Sequence, residues 1–174
     1  MIIGKNIYLR SIEESDWILI KKWNFDAETA AFFSPRLPIS DIEQRKWFDS
    51  QINQKDKKKL IIVEKESNMS IGMIGLMNID HINKNVEIGI TMGEKQFAGK
   101  GLAKDAMVSA IRFMFEQQNM HQVYLTTLQN NHSAIKLFES VGFKNIAILP
   151  ERVFCNNEYT GMLYMSIKKS DFRL

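Results

Sequence analysis

In the middle of this chain the hydrophobic period changes near residue 100, and the change limits the folds open to it. Before it, the runs "KLIIVEKE", "SIGMIGLMNID" and "NVEIGITMG" are strand-like and are separated by the turn signals "ESN" and "INKN". Connections this short join antiparallel neighbours, so the runs predict a meander. After it, residues 101–119 are apolar on most sides, as in a buried helix, and "QVYLTTL" follows as another strand. A right-handed crossover would place that strand parallel to the last strand of the meander.

The flanking segments add further elements to this mixed sheet. "KNIYLRSI" alternates apolar and polar residues and predicts a first strand. Capping-box patterns at Ser11–Glu14 and Ser40–Glu43 predict the starts of two helices, and "NNHSAIKLFESVGF" predicts a later helix that ends near Gly142. "ERVFCNNEYTGMLYMSIKK" fits a terminal strand hairpin around Asn156–Asn157. We therefore expect a single α/β domain over residues 1–174, with a mixed, mostly antiparallel sheet flanked by about four helices.

The composition excludes several classes of protein. Apolar residues make up 45% and charged residues 25% of the chain, as in ordinary globular domains and unlike disordered ones. A net charge of +3 does not argue for nucleic acid. No apolar run approaches the roughly 20 residues that span a bilayer, and the first residues lack the apolar core of a signal peptide. Cys155 is the single cysteine, which rules out an intrachain disulfide. We expect a cytoplasmic protein that binds neither nucleic acid nor membrane.

A glycine-containing loop, "QFAGKGLAKDA", lies at the mouth of the buried helix. Glycines allow close backbone approach to a ligand, and the amides that open a helix favour anions, so a phosphate is the expected ligand. The loop lacks the Lys-Ser/Thr ending of a Walker motif. Lys104 occupies the position of the third glycine of a dinucleotide fingerprint, and the loop follows an antiparallel meander. Both nucleotide interpretations are therefore weak.

Two motifs in register carry a resemblance to a known family. Gln96-x-x-Gly99-x-Gly101, followed by Leu102-Ala103, resembles the pyrophosphate loop of the GNAT acetyltransferases. "NHSAIKLFESVGF" resembles the Asn-x-x-Ala-x-x-x-aromatic-x-x-x-Gly-Phe segment of the same superfamily. The order of elements agrees as well, so the resemblance covers nearly the whole chain. It implies a GNAT-like fold and direct transfer of an acetyl group from acetyl-CoA to a primary amine, with no metal and no covalent enzyme intermediate.

The resemblance also implies a set of cofactor-binding residues. The pyrophosphate of acetyl-CoA suits the amides and partial positive charge of a helix N-terminus. Asn131 matches the family asparagine that contacts the cofactor, although an asparagine there also suits a helix N-cap. The implied residues are Ile90, Thr91 and Met92 beside the pantetheine arm, the loop residues Gln96, Phe97, Ala98, Gly99, Lys100, Gly101, Leu102, Ala103 and Lys104, and Asn131 and Phe138 on the later helix.

Acetyl transfer to an amine requires a group that accepts a proton, because an alkyl ammonium has a pKa near that of lysine, about 10.4. Glu87, in "NVEIGI" on the strand that would border the thioester, is our catalytic candidate, acting as base or as a contact to the substrate. A carboxylate that only fastens the sheet is the structural alternative. A histidine at position 81, in a turn, is more often simply exposed.

The acceptor pocket of this superfamily would involve Glu28, Phe32, Phe33 and Arg36. Their mixture suggests a partly apolar pocket that carries charge, and it does not identify the amine. The oligomeric state is also left open by the sequence, with a homodimer as one option.

One position departs from the family pattern. Many relatives have a tyrosine where this chain has Phe138, and that tyrosine is thought to protonate the departing thiolate. A thiol with pKa about 8.5 leaves as a tolerable anion at pH 7, so its protonation contributes roughly 2 kcal/mol. We therefore expect an active enzyme whose acid is different or dispensable, with water, Tyr159 or Tyr164 as substitutes.

Several functions remain open on these observations. The acceptor is expected to be a small molecule, namely a polyamine, a diamine or an amino sugar, because the chain looks most like the branch that contains spermidine and amino-sugar acetyltransferases. Ribosomal-protein N-terminal acetyltransferases belong to the same branch, so a protein N-terminus is the alternative acceptor. A catalytically silent acyl-CoA-binding module is the rival from another class, and a nucleotide-binding protein is the weakest option.

Overall fold

An eight-stranded sheet organises the chain, whose computed structural model describes residues 1–24, 40–52, 54–155 and 157–173. Its order is β1-β2-β3-β4-β5-β6-β8-β7. Every neighbouring pair is antiparallel except β5 and β6, which are parallel. The expectation of an α/β fold with a mixed, mostly antiparallel sheet is thus confirmed. The strands are β1 (Ile2–Ile3), β2 (Ile7–Ser11), β3 (Lys58–Glu64), β4 (Ser70–Asp80), β5 (Asn85–Met92), β6 (Gln122–Leu128), β7 (Lys144–Cys155) and β8 (Glu158–Lys168).

Four α-helices among the described residues cover the two faces of the sheet. They are α1 (Trp17–Asn24), α2 (Asp41–Ile52), α3 (Leu102–Glu116) and α4 (His132–Val141). Helices α3 and α4 share one core with side chains such as Ile62 and Ile88, whereas α1 and α2 pack over β3 and β4 on the opposite face, around Ile61 and Met73. No helix in these ranges is both long and apolar enough to cross a bilayer.

Of the two helix starts that capping boxes predicted, one is confirmed and the other is wrong. At α2 the Ser40–Glu43 capping box is confirmed, because the Glu43 carboxylate accepts the Ser40 N–H at 2.7 Å and the Ser40 hydroxyl accepts the Glu43 N–H at 3.2 Å. The Ser11–Glu14 box is wrong, because Ser11 is the last residue of β2 and pairs with Leu60. The chain instead turns through a 3₁₀ segment at Glu14–Asp16, where the Asp16 carboxylate accepts the Glu13 N–H at 2.8 Å.

The terminal hairpin is longer than the sequence predicted. Strand β7 begins at Lys144 rather than at Glu151, and β8 lies between β6 and β7, so β7 forms an edge of the sheet. Its apolar side chains at Ile146 and Ile148 are more than half exposed. Asn156, one of the two predicted turn residues, lies outside the described residues.

Arg10 and Asp16 join β2 to the start of α1. The guanidinium donates to both Asp16 carboxylate oxygens, at 2.6 and 2.7 Å, and Asp16 is only 5% exposed. Burial acts to raise the pKa of Asp16, but the hydrogen bonds from Arg10 and from the Glu13 amide outweigh it and lower the pKa below its usual range. The charged form of Asp16 is therefore favoured by the folded state.

Arg10→Met should lower the free energy of unfolding by about 2–3 kcal/mol at pH 7, because it leaves the Asp16 carboxylate without its charged hydrogen-bond donor. A lowered carboxyl pKa stabilises the fold above the unfolded pKa, about 3.9, and this contribution is lost as pH falls through the folded pKa. The difference between wild type and variant, measured by urea unfolding, should therefore shrink between pH 5 and pH 3. Lys144→Met, which breaks the exposed pair with Asp171, is the control and should change stability by less than about 0.5 kcal/mol. A difference that stays constant down to pH 3 would contradict the assignment.

Candidate active site

A gap opens in the sheet between β5 and β6. The two strands pair only from Asn85–Glu87 on β5 to Gln122–Tyr124 on β6. Beyond these residues, β5 continues beside β4 as far as Met92, while β6 continues beside β8 as far as Leu128. On the side of β5 that faces the gap, the backbone beyond Glu87 pairs with no strand among the described residues. Its other side pairs with β4. Such an edge can accept an extended ligand as an added strand. The predicted residues Ile90, Thr91 and Met92 lie on this segment.

The glycine loop lies at the wide end of the gap, directly after β5. It passes through a 3₁₀ turn at Lys95–Phe97 and reaches α3 through Gly99 and Gly101, both with φ of +74°. A Cβ added at either glycine would meet no heavy atom of the described residues within 4 Å, so backbone conformation alone favours glycine there.

The N-terminus of α3 is open to a ligand. The Asp105 N–H donates to the Gly101 carbonyl at 3.1 Å, and Gly101 provides no side-chain cap. The amides of residues 102–104 therefore lie before the first hydrogen bond of the helix and have no acceptor within it. Three such amides at the positive end of a 15-residue helix are the kind of donors that suit an anion.

Two apolar side chains anchor this loop in the core. Phe97 and Leu102 are 8% and 5% exposed, while Gln96, Ala98, Gly99 and Lys100 are exposed. The Lys100 ammonium lies 4.9 Å from the centroid of the Phe97 ring. Ala103 and Lys104, in the first turn of α3, are half-buried. On the side of the β3–β4 hairpin, a cavity of about 740 Å³ borders the loop and is lined by Lys5, Lys65 and Lys100 among others.

The narrow end of the gap holds a polar cluster on the α1/α2 face of the sheet. Val86 and Ile88 point into the α3/α4 core, so Glu87 between them points to the other face, and the same alternation places Tyr124 beside it. Asn78, at a β-bulge in β4, donates its Nδ2–H to Glu87 Oε2 at 2.8 Å, and its side chain also acts to lower the pKa of Tyr124. Tyr164 from β8 stacks on Tyr124 with ring centroids 5.3 Å apart.

Burial, with smaller contributions from nearby negative charge, keeps the tyrosines of this cluster protonated. Burial is the largest cause that raises the pKa of Tyr124, and the negative charges of Glu87 and Asp80 add to it against the Asn78 hydrogen bond. Burial likewise raises the pKa of Tyr164, with smaller contributions from Tyr124 and Glu87. Both phenols therefore carry their proton at neutral pH.

Helix α4 has the caps that its sequence predicts. The Asn131 Oδ1 accepts the Ala134 N–H at 3.2 Å, and Gly142 ends the helix with φ of +106°. Phe138 is 5% exposed and packs edge-on against Phe143 with ring centroids 6.0 Å apart. Position 138 thus lies in the core of the α3/α4 face.

Other candidates lie apart from the gap or outside the described residues. Glu28, Phe32, Phe33 and Arg36, expected to build the acceptor pocket, belong to the part of the chain that the structure does not describe. The histidines at positions 81, 121 and 132 are all exposed. Tyr159, considered as a substitute acid, lies at the hairpin tip and packs against Phe154 with ring centroids 5.2 Å apart.

Sequence reasoning missed Asn78 and Tyr124. Tyr124 is a hydroxyl-bearing residue in the alternating strand "QVYLTTL", where the apolar neighbours point to the core, so it could have been assigned to the face of Glu87. Asn78 has a φ of +49°, a left-handed conformation in which asparagine is enriched, but a single asparagine within a strand-like run does not identify a bulge.

Comparison with known proteins agrees with this arrangement. The family model described as an acetyltransferase (GNAT) domain matches residues 6–144. The chain is 24% identical over 170 residues to the spermidine N(1)-acetyltransferase of Vibrio cholerae serotype O1, a match that covers 98% of this chain and 97% of that protein. It is 28% identical over 101 residues to the putative ribosomal N-acetyltransferase YdaF of Bacillus subtilis, which covers 58% of this chain and 55% of that protein.

Among solved structures, the crystal structure of spermidine N-acetyltransferase from Vibrio cholerae in complex with CoA and spermine has a TM-score of 0.88 to this chain. The two share 24% sequence identity, and the match covers 95% of this chain and 97% of that one. This likeness shows a common fold.

Proposed function

Because the chain belongs to the GNAT acetyltransferase family and is therefore an acetyl-CoA-dependent N-acetyltransferase, we propose that it acetylates a primary amine of a small, positively charged molecule of the polyamine class. The gap between β5 and β6, with Glu87 at its narrow end and the open α3 terminus at its wide end, is the observation that carries this proposal.

The two ends of the gap suit the two ends of acetyl-CoA. We propose that the amides of residues 97–104 bind the pyrophosphate and that Ile90, Thr91 and Met92 pair with the pantetheine arm through their backbone. Asn131 caps α4 through its carbonyl oxygen, so the cap does not use the amide hydrogens of the same side chain, and we propose that these contact the cofactor. At about 3.3 Å per residue, the five-residue step from Glu87 to Met92 spans roughly 16 Å along the gap. An extended arm would thus reach the narrow end with its thioester.

Glu87 is the proposed proton acceptor for the attacking amine. An alkyl ammonium is protonated at neutral pH, so its nitrogen becomes nucleophilic only when a proton leaves. Glu87 can take that proton directly or through a water molecule, and Asn78 holds its carboxylate toward the face on which the amine would bind. Phe138 has no proton to supply, and we propose that it packs against the arm of the cofactor.

The charge of the site supports a cationic acceptor. Glu87 and Asp80 both act electrostatically on Tyr124, so two carboxylates lie near the narrow end of the gap. Two negative charges attract an amine that carries a second positive charge more strongly than one that carries a single charge. The spermidine acetyltransferase of Vibrio cholerae, similar over nearly all of both chains, supports the same class of acceptor.

Release of free thiol from acetyl-CoA tests this proposal when it is measured with spermidine, diamines, amino-sugar nucleotides and short peptides with free N-termini. We expect turnover with spermidine and diamines. Turnover with peptides alone would favour the ribosomal-protein type, to which the likeness to YdaF points. Thermal stabilisation by CoA without turnover of any amine would favour a silent acyl-CoA-binding module.

Gly101→Ala should weaken CoA binding about tenfold, because a left-handed conformation costs an L-residue roughly 1–2 kcal/mol and Gly101 sets the direction of the first free amides. Isothermal titration of CoA would measure the change. Gly75→Ala is the control, because its added Cβ meets no described atom within 4 Å and its backbone is not left-handed. Equal affinities for the two variants would exclude a role of the loop conformation in binding.

A further inference from the structure

The departing thiolate of the proposed reaction needs a proton that α4 is not built to supply. Phe138 has no hydroxyl group. Ser133 donates its hydroxyl proton to the Asn131 side chain at 3.1 Å, and Ser140 donates to the Leu137 carbonyl at 2.7 Å. The hydroxyls of this helix are therefore engaged in its own capping and backbone.

A phenol lies instead at the narrow end of the gap. Tyr124 is the last residue of β6 that pairs with β5, and its partner in the register is Glu87. Paired residues on neighbouring strands project from the same face, so the Tyr124 hydroxyl and the Glu87 carboxylate share the surface at which the gap closes. The thioester of an arm that enters from the α3 end would reach this point.

Asn78 connects the two groups. Its side-chain amide donates to Glu87 Oε2 at 2.8 Å and lies close enough to the Tyr124 phenol to lower the pKa of that group. The residue reaches both because the bulge between Met77 and Asp80, with Asn78 in a left-handed conformation, turns its side chain onto their face. Bulges commonly re-aim a side chain next to a functional site.

We propose that Tyr124 is the general acid that protonates the departing thiolate, and that Asn78 is a positioning residue that holds Tyr124 and Glu87 at the end of the gap. This inference rests on the proposed function, because it requires acetyl-CoA to occupy the gap.

The protons balance within this cluster. The alkyl ammonium first loses one proton to solvent through Glu87, which gives the neutral amine. The carbon–nitrogen bond then forms and the carbon–sulfur bond breaks, while a second proton of the nitrogen passes to Glu87 and the hydroxyl proton of Tyr124 passes to sulfur. The products are the N-acetyl amine and the CoA thiol. The protonated Glu87 and the Tyr124 phenolate then return to their starting states by proton transfer through solvent over the short distance between them. Tyr124 holds a proton at neutral pH because burial, with the charge of Glu87, raises its pKa.

The test is steady-state thiol release from acetyl-CoA with spermidine, compared among wild type, Tyr124→Phe and Tyr8→Phe. We expect Tyr124→Phe to lower kcat about 30-fold with little change in KM, since a thiol of pKa about 8.5 favours its neutral form by that factor at pH 7. Tyr8→Phe also removes one phenolic hydroxyl, which lies on β2 and donates to Asn68 Oδ1 at 2.7 Å, and it is the matched control. It should retain kcat within about twofold.

Two further variants separate chemistry from structure. Adding Phe138→Tyr to Tyr124→Phe should restore part of the lost kcat, whereas Phe138→Tyr alone should not raise it. Asn78→Gly keeps the left-handed backbone and removes the amide, and it should lower kcat about fivefold at unchanged CoA affinity.

Full activity of Tyr124→Phe in an active wild-type background would overturn the assignment of Tyr124 and point to solvent as the proton source. Equal losses in Tyr124→Phe and Tyr8→Phe would also overturn it, since they would indicate a general effect of losing a tyrosine hydroxyl and not the loss of an acid. An inactive wild type across the whole amine panel would overturn the proposed function and this inference together.

Discussion

Glu87→Gln should lower kcat about 10²–10⁴-fold, the range that general acid–base catalysis contributes. Glutamine keeps the length of the side chain and an oxygen that can accept the Asn78 N–H, but it cannot take a proton from the amine. Because Glu87 is only half-buried, the fold should be unaffected. The measurement is kcat and KM for spermidine as a function of pH, with thermal unfolding as the check on folding.

The pattern of the loss identifies the role of Glu87. A base gives a fall in kcat together with loss of the acidic limb of the pH–rate profile, whereas a substrate contact gives a raised KM with kcat retained. Glu139→Gln, an exposed carboxylate of α4, is the control and should change neither constant. If Glu87→Gln retains the wild-type pH profile and a kcat within about threefold, Glu87 is not the base.

Gly93→Ala should be the most destabilising single-methyl change in the region of the loop, with a loss of about 2–3 kcal/mol. An added Cβ would overlap three atoms of the Trp23 indole, and that side chain is fully buried in the core beneath α1. The ring is also held by its Nε1–H, which donates to Glu94 Oε1 at 3.0 Å. Neither the ring nor the backbone can yield easily, because Gly93 N–H donates to the Ile71 carbonyl at 2.9 Å.

Thermal and urea unfolding would measure this loss, which corresponds to a fall in Tm of about 5–10 °C for a domain of this size. Gly75→Ala makes the same change in β4 where no described atom lies within 4 Å of the added Cβ. It should shift Tm far less than Gly93→Ala does. Similar shifts for the two variants would show that the Trp23 contact is not the cause. CoA affinity should fall in parallel with stability, because Gly93 leads directly into the loop before α3.

Local patterns account for the part of the site that was predicted. The meander, the helix after the loop and the parallel strand follow from hydrophobic period and connection length, and each appears in the structure. The Ser40–Glu43 and Asn131 caps follow from side chains that bond to amides only three residues away. The predicted cofactor segments lie together for the same reason, since the end of β5, the loop and α3 are consecutive in the chain.

Local patterns failed where a residue had a partner distant in sequence. Ser11 suits a helix cap, but its backbone pairs with Leu60 in the sheet, and the turn into α1 depends on Arg10 and Asp16. Strand β8 could not be placed between β6 and β7 from the sequence, because a hairpin can present either of its strands to the sheet.

By itself, the sequence determined the α/β class, and it predicted the glycine loop as an anion site and Glu87 as the base, because each depends on residue types within one short segment. Only the tertiary structure decided what surrounds Glu87. Asn78 and Tyr124 come to it from two other strands, and their approach depends on a bulge in β4 and on the three-residue register between β5 and β6. A one-residue change in register would turn a side chain to the opposite face of the sheet, so no local pattern specifies this cluster.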